Sequence, residues 1–222
     1  MAVPPAASQK QEREIRRAEK LAKFQREQKA AKRKRVLGFT FAGVGAAAVI
    51  ALIAGVIIVN AQPADDPDSI SIEGLRSWDD LESVHVEDAV DYQSLYDMSP
   101  PAGGQHNQMW LNCGIYDQPQ PNENAVHSLE HGAVWVTYNP DEVSGDDLEA
   151  LRDEMPSTYA ILSPFPELQA PVVASAWGQQ VELTGVDDER LESFIDKFWR
   201  SADVPESGSS CSGALEGAGL VS

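Results

Sequence analysis

Beyond Arg35 this chain is nearly without positive charge. Residues 1–35 carry 12 of its 17 Lys and Arg against 4 of its 35 Asp and Glu, a net +8, while the rest carries 5 basic and 31 acidic side chains, a net −26. Segregation of that size excludes a uniform surface and predicts a basic tail and an acidic domain in different surroundings. Charge of either sign is absent from Val36–Asn60, VLGFTFAGVGAAAVIALIAGVIIVN. At about 1.5 Å per helical residue this run spans a hydrocarbon core of about 30 Å. So long an uncharged stretch is hard to place as a core helix of a small soluble domain. Lys32-Arg33-Lys34-Arg35 abuts its start, and Asp65, Asp66 and Asp68 follow its end. The Lys/Arg bias predicts a single-pass cell-membrane protein, N-terminus cytoplasmic and C-terminal domain extracytoplasmic. Val59-Asn60-Ala61 offers a cleavage site after Ala61. The run nevertheless far exceeds a signal core of about 7–15 residues, which favours an uncleaved anchor.

Other absences narrow the function. There is no G-x-S-x-G elbow, phosphate-binding loop or dinucleotide fingerprint, and no internal repeat. The basic tail, residues 1–35, is rich in good helix formers with a thin apolar stripe of Ile15, Leu21 and Phe24. It reads as a largely helical, solvated segment suited to anionic lipid headgroups, at about 1 kcal/mol per nearby cation. Without aromatic or motif support, no nucleic acid is expected as partner.

Residues 61–72 are Pro- and Asp-rich and read as a linker, followed by an acidic domain over 73–200. Residues 201–222 form a Gly/Ser-rich tail expected to be mobile except near Cys211. Within the domain, Ala133–Tyr138, Tyr159–Ser163, Val172–Trp177 and Val181–Leu183 read as strands. Asp146–Met155 and Asp187–Arg200 read as helices, the second with Leu191, Phe194, Ile195 and Phe198 on one face. This order predicts an α+β domain, a small mixed sheet with packed helices, preceded by one transmembrane helix.

Histidine is scarce, and all four copies, His85, His106, His127 and His131, lie in this domain. His127 and His131 in HSLEHG stand at i,i+4, a chelating spacing on a helix face that Asn122 or Asn124 caps and Gly132 ends. The Pro-Pro and Gly-Gly turn of PPAGGQH can present His106 to that pair. Three imidazoles with an open position suit zinc or copper. Met109 adds a thioether that favours copper(I), His85 is a possible fourth member, and Glu130 can orient a histidine. A buried histidine is also commonly a hydrogen-bonded structural residue. HSLEH fits H-x-x-E-H as well, with Glu130 as general base of a zinc hydrolase. That pattern needs a longer helix and a further carboxylate, so the reading favours binding over catalysis. Cys113 and Cys211, the only cysteines, predict a disulfide on the exported side; the alternative is Cys113 as a thiolate ligand.

These pieces occur in a recognisable order. His85-Val86, Tyr92, PPAGGQH, Cys113-Gly114-Ile115-Tyr116-Asp117, VHSLEHGAVWVTY, SPFPELQAPVVASAWG and Cys211 together resemble the domain-of-unknown-function family 3105 over roughly residues 80–212. Its members are largely bacterial and often carry one N-terminal transmembrane helix, and Gly103 stands where the family usually has Ser. The resemblance implies that the four histidines and two cysteines occupy family motif positions, and it brings no activity. The reading is therefore a membrane-anchored extracytoplasmic domain that binds copper or zinc through His106, His127 and His131. A zinc hydrolase and a non-catalytic cell-envelope interaction module are the alternatives.

Overall fold

The computed structural model describes residues 66–221 and six separate positions of the basic tail, Arg16, Lys20, Lys23, Arg26, Lys29 and Lys32, each helical and exposed. The chain divides after Pro63, and the sheet and the histidines belong to the second unit, Ala64–Ser222. The expected anchor Val36–Asn60 and the junction at Ala61 lie outside the described residues. Among the described residues, no helix is long and apolar enough to cross a membrane.

Six strands, β1 (Arg76–Ser77), β2 (Gly114–Ile115), β3 (Val134–Tyr138), β4 (Ala160–Pro164), β5 (Val172–Ala176) and β6 (Gln179–Leu183), form one mixed sheet. Their order is β1-β6-β5-β3-β4-β2. The pairs β3–β4 and β4–β2 are parallel, and β1–β6, β6–β5 and β5–β3 are antiparallel. The helices are α1 (Tyr92–Tyr96), α2 (Asn122–Glu130), α3 (Asp146–Asp153) and α4 (Arg190–Phe198). The α+β reading holds, with a mixed sheet and packed helices. The four strands expected from β-branched and aromatic runs match β3 to β6 closely. The two-residue strands β1 and β2 and the five-residue α1 are too short to leave a hydrophobic period in the sequence.

Registered strands place alternate residues on opposite faces. One face presents Val134, Val136, Leu162, Val172, Ala174, Val181 and Leu183 to Leu151 of α3 and Leu191 and Phe194 of α4, in one apolar cluster. The other presents Trp135 and Ile161 to Ala125 and Leu129 of α2, with Leu111 and Tyr116. Helix α2 thus lies over the centre of the sheet, and the candidate ligands stand at its C-terminal end.

Both flanks of the domain are held down. Ile72 is buried, Ile70 packs against the apolar cluster, and Lys197 Nζ donates to the carbonyls of Pro67 and Ile70 at 2.9 and 2.7 Å. The described part of the expected linker is therefore packed. The expectation of a tail mobile outside Cys211 is corrected. Leu111 bridges to Leu215 and Tyr116 to Leu220, and the Val221 N–H donates to the Ile115 carbonyl at 2.8 Å. Backbone pairing, which Gly/Ser composition does not advertise, makes this tail a strap across the domain.

Candidate metal centre

Helix α2 brings the first donors. Its buried run Ala125–Glu130 sets His127, Glu130 and, at the cap, His131 at i, i+3 and i+4. The expected Asn cap is absent. Pro121 occupies that position without a side-chain bond, and Asn124 Nδ2 instead donates to the Met109 carbonyl at 2.6 Å. The C-terminal end follows expectation: Gly132 has φ +96°, its N–H donates to Leu129 O, and Ala133 N–H reaches Ser128 O at 3.0 Å. Such reversed pairing at a left-handed glycine stops the helix directly after the donors. The negative end of the helix dipole also favours a cation there.

His106 arrives on the Pro-Pro-Gly-Gly loop. Gly104 has φ +93°, and a Cβ there would stand 2.6 Å from the Tyr96 ring, so glycine is required twice over. The Val86 N–H donates to His106 O at 2.7 Å and the His106 N–H to Val84 O at 3.1 Å. This bridge sets His85 beside His106. The strap brings Glu206 and Ser210, held by the Glu206 N–H on Glu130 O at 3.2 Å and by the disulfide from Cys211 to Cys113 across a Cα–Cα distance of 5.4 Å. The bridge removes Cys113 as a thiolate ligand.

Each buried imidazole is oriented in the same way. Nδ1 of His106, His127 and His131 lies 2.8, 2.7 and 2.7 Å from the carbonyls of Gly104, Asn107 and Ser210. A carbonyl only accepts, so Nδ1 carries a proton and Nε2 is the ring nitrogen turned inward. Metal-ligating histidines are held in the same manner, one ring nitrogen donating to a fixed acceptor while the other is left for the ion. The rings form a compact group, with centroids 4.9 Å apart for His85–His106, His85–His127 and His106–His127, and 4.6 Å for His127–His131.

Two donor sets result, each with its ligand atoms within 4.8 Å of one another: His85, His106, His127 and Glu130, and His127, His131 and Glu206. The predicted trio is thus divided. His106 and His131 fall in different sets, and His127 belongs to both. His85 and Glu130, read as a possible ligand and an orienting group, stand among the donors. Met109 lies on the surface, 50% exposed. Glu206 is a donor that the sequence reading misses. The available signal is Cys211, because pairing it with Cys113 carries the residues just before it to the histidine segment.

Electrostatics mark the buried end. His106 Nε2 and Glu130 Oε2 are 2.9 Å apart with both side chains 0% exposed, yet neither atom has a hydrogen-bond partner in line. Two buried acceptors at that distance call for a cation, either a proton on the ring or a metal ion. Ser83 Oγ donates to the other Glu130 oxygen. Burial pushes the Glu130 carboxyl up, but His106 and Ser83 outweigh it and hold it below the usual range. Burial, aided by its imidazole neighbours, lowers His127 against the pull of the Asn107 carbonyl, which keeps the ring neutral and ligand-competent. A hydrolytic base must reach a water beside the ion, whereas Glu130 is enclosed between Ser83 and His106.

The histidine and carboxylate groups can hold a metal ion. A family model described as Protein of unknown function (DUF3105) matches residues 85–213. Neither a curated protein nor a solved structure matches the chain.

Proposed function

The chain belongs to the DUF3105 family, whose description assigns no activity, and we propose from the site itself that the domain binds a transition-metal ion outside a membrane. The observation that carries this reading is the common orientation of His106, His127 and His131. Each donates Nδ1–H to a fixed carbonyl and turns its Nε2 toward a carboxylate. Hydrogen-bonded structural histidines have no need for that convergence, and the facing acceptors of His106 and Glu130 leave a positive charge to be supplied. Imidazole and carboxylate donors suit zinc or copper(II). An uncharged run ending in a basic cluster on one side supports the anchor and the extracytoplasmic placement.

The test is elemental analysis of the full-length protein purified in detergent, followed by zinc and copper(II) titration with and without chelator. One ion per chain and a chelator-sensitive melting temperature are expected. No bound metal and no uptake from either solution would overturn the reading. Protease accessibility in sealed vesicles tests the orientation, with the acidic domain cut only from the outside face.

A further inference from the structure

We infer that the two donor sets serve one ion in succession, so that the metal is cargo passed between an outer and an inner position by ligand exchange at His127; this rests on the metal-binding reading above. His127 is common to both sets. Its Nδ1 is engaged with the Asn107 carbonyl at 2.7 Å, which leaves one lone pair. A neutral imidazole with one lone pair binds one ion at a time. Simultaneous occupancy of both sets would need His127 as a bridging imidazolate, at the expense of the Asn107 bond.

The sets differ in ways that give the exchange a direction. The outer set has three donors, His127, His131 and Glu206, and the Glu206 side chain is 45% exposed. Three ligands leave an open coordination position, the state in which an incoming ion still exchanges water or a carrier's ligand. The inner set adds a fourth donor and includes the fully buried His106 and Glu130. It binds more tightly because more fixed donors meet the ion, and because the orphaned His106 Nε2 and Glu130 Oε2 gain a partner only there. Glu206 Oε2 stands 3.2 Å from His131 Nε2 and 3.9 Å from His127 Nε2. The carboxylate that meets the ion at the surface therefore already faces the ring that hands it on. His85, exposed and stacked on His127 at 16° between planes, closes the inner set from its own side. No bond to carbon is made or broken and no electron moves. Each step exchanges one donor for another at a divalent ion.

Trp110, whose ring centroid lies 5.1 Å from His131 and 5.8 Å from His127, reports copper(II) by fluorescence quenching. Stopped-flow mixing of the full chain in detergent with copper(II) should give two phases, with one ion per chain at saturation. Glu206→Gln should slow the first phase about tenfold and leave equilibrium affinity within about threefold. Glu130→Gln, and independently the exposed His85→Ala, should leave the first phase and cost affinity by about 10–100-fold, the scale of losing a fixed metal contact. Two ions per chain, or single-phase uptake with Glu206→Gln as damaging to affinity as His85→Ala, would overturn the succession while leaving metal binding intact. Absence of any uptake by the unmodified chain would overturn both.

Discussion

The two faces of the sheet are both buried and chemically unlike. Toward α3 and α4 the strands present an apolar cluster of Val, Leu and Ala side chains with Tyr138. Toward α2 the same strands offer Trp135, Thr137, Ser163, Ser175 and Gln180, all buried. On that second face Trp135, Ser163, Ser175 and Gln180 are bonded to one another or to the loop that carries His106. Trp135 Nε1 donates to Ser163 Oγ at 2.9 Å, and Gln180 Nε2 donates to Ser175 Oγ at 2.9 Å and to the Pro100 carbonyl at 2.8 Å. Apolar burial is strong but indifferent to direction, whereas a buried hydrogen bond adds little net stability and fixes orientation. One face therefore holds the domain together, and the other aims its donors.

The largest effect that would sharpen this contrast is Phe194→Ala on the apolar face. It should cost about 3–5 kcal/mol in urea unfolding, while metal stoichiometry of the folded fraction stays at the wild-type value. Loss of metal binding in folded Phe194→Ala would break the division of labour. Next comes Cys113→Ala with Cys211→Ala, expected to cost about 2–5 kcal/mol. Because the strap carries Glu206 and the Ser210 carbonyl, this pair should also weaken metal uptake, which calorimetric titration reads directly. His127→Ala on the polar face should abolish the metal-dependent part of stability, about 2.7 kcal/mol when free metal is a hundredfold above its dissociation constant. Equal melting of wild type and variant with metal present would contradict that role.

The smallest effect lies far from the imidazoles. Hydrogen bonds from Arg190, joined by those from Thr184 and opposed by burial, hold the Asp188 carboxyl well below the usual carboxylate range. A group whose folded-state value is depressed contributes stability above its unfolded value, near 3.9, and loses it as the pH falls through and below that value. Asp188→Asn should lose about 1–2 kcal/mol at neutral pH and show a flatter acid limb of its stability profile, with metal affinity unchanged.

How much of this can be read from residues depends on the range of each interaction. Strands β3 to β6 and helix α4 are legible because each carries its own hydrophobic pattern, as in the AVWVTY run and the Leu191, Phe194, Ile195, Phe198 stripe. Helix α2 is legible at its glycine stop but not at its start, since a tertiary bond draws Asn124 to the Met109 carbonyl. The i,i+4 pair of His127 and His131 announces a site. Its division into two sets does not show, because it depends on which carbonyl each ring meets, at Gly104, Asn107 and Ser210. Glu206 is the least legible donor. It sits 75 residues from its partner His131 in a segment whose composition resembles a free tail, and only the second cysteine places it.

The bond between Cys113 and Cys211 makes a closed circuit of the polypeptide. His127, Glu130, His131 and Glu206 are strung along that circuit, while His85 and His106 hang from its N-terminal arm. A peptidase that nicks the backbone once between these two cysteines leaves a single covalent molecule, its three outer ligands still tethered to one another. Such clipped protein would migrate as intact on a gel run without reductant and fall into two fragments when thiol is added.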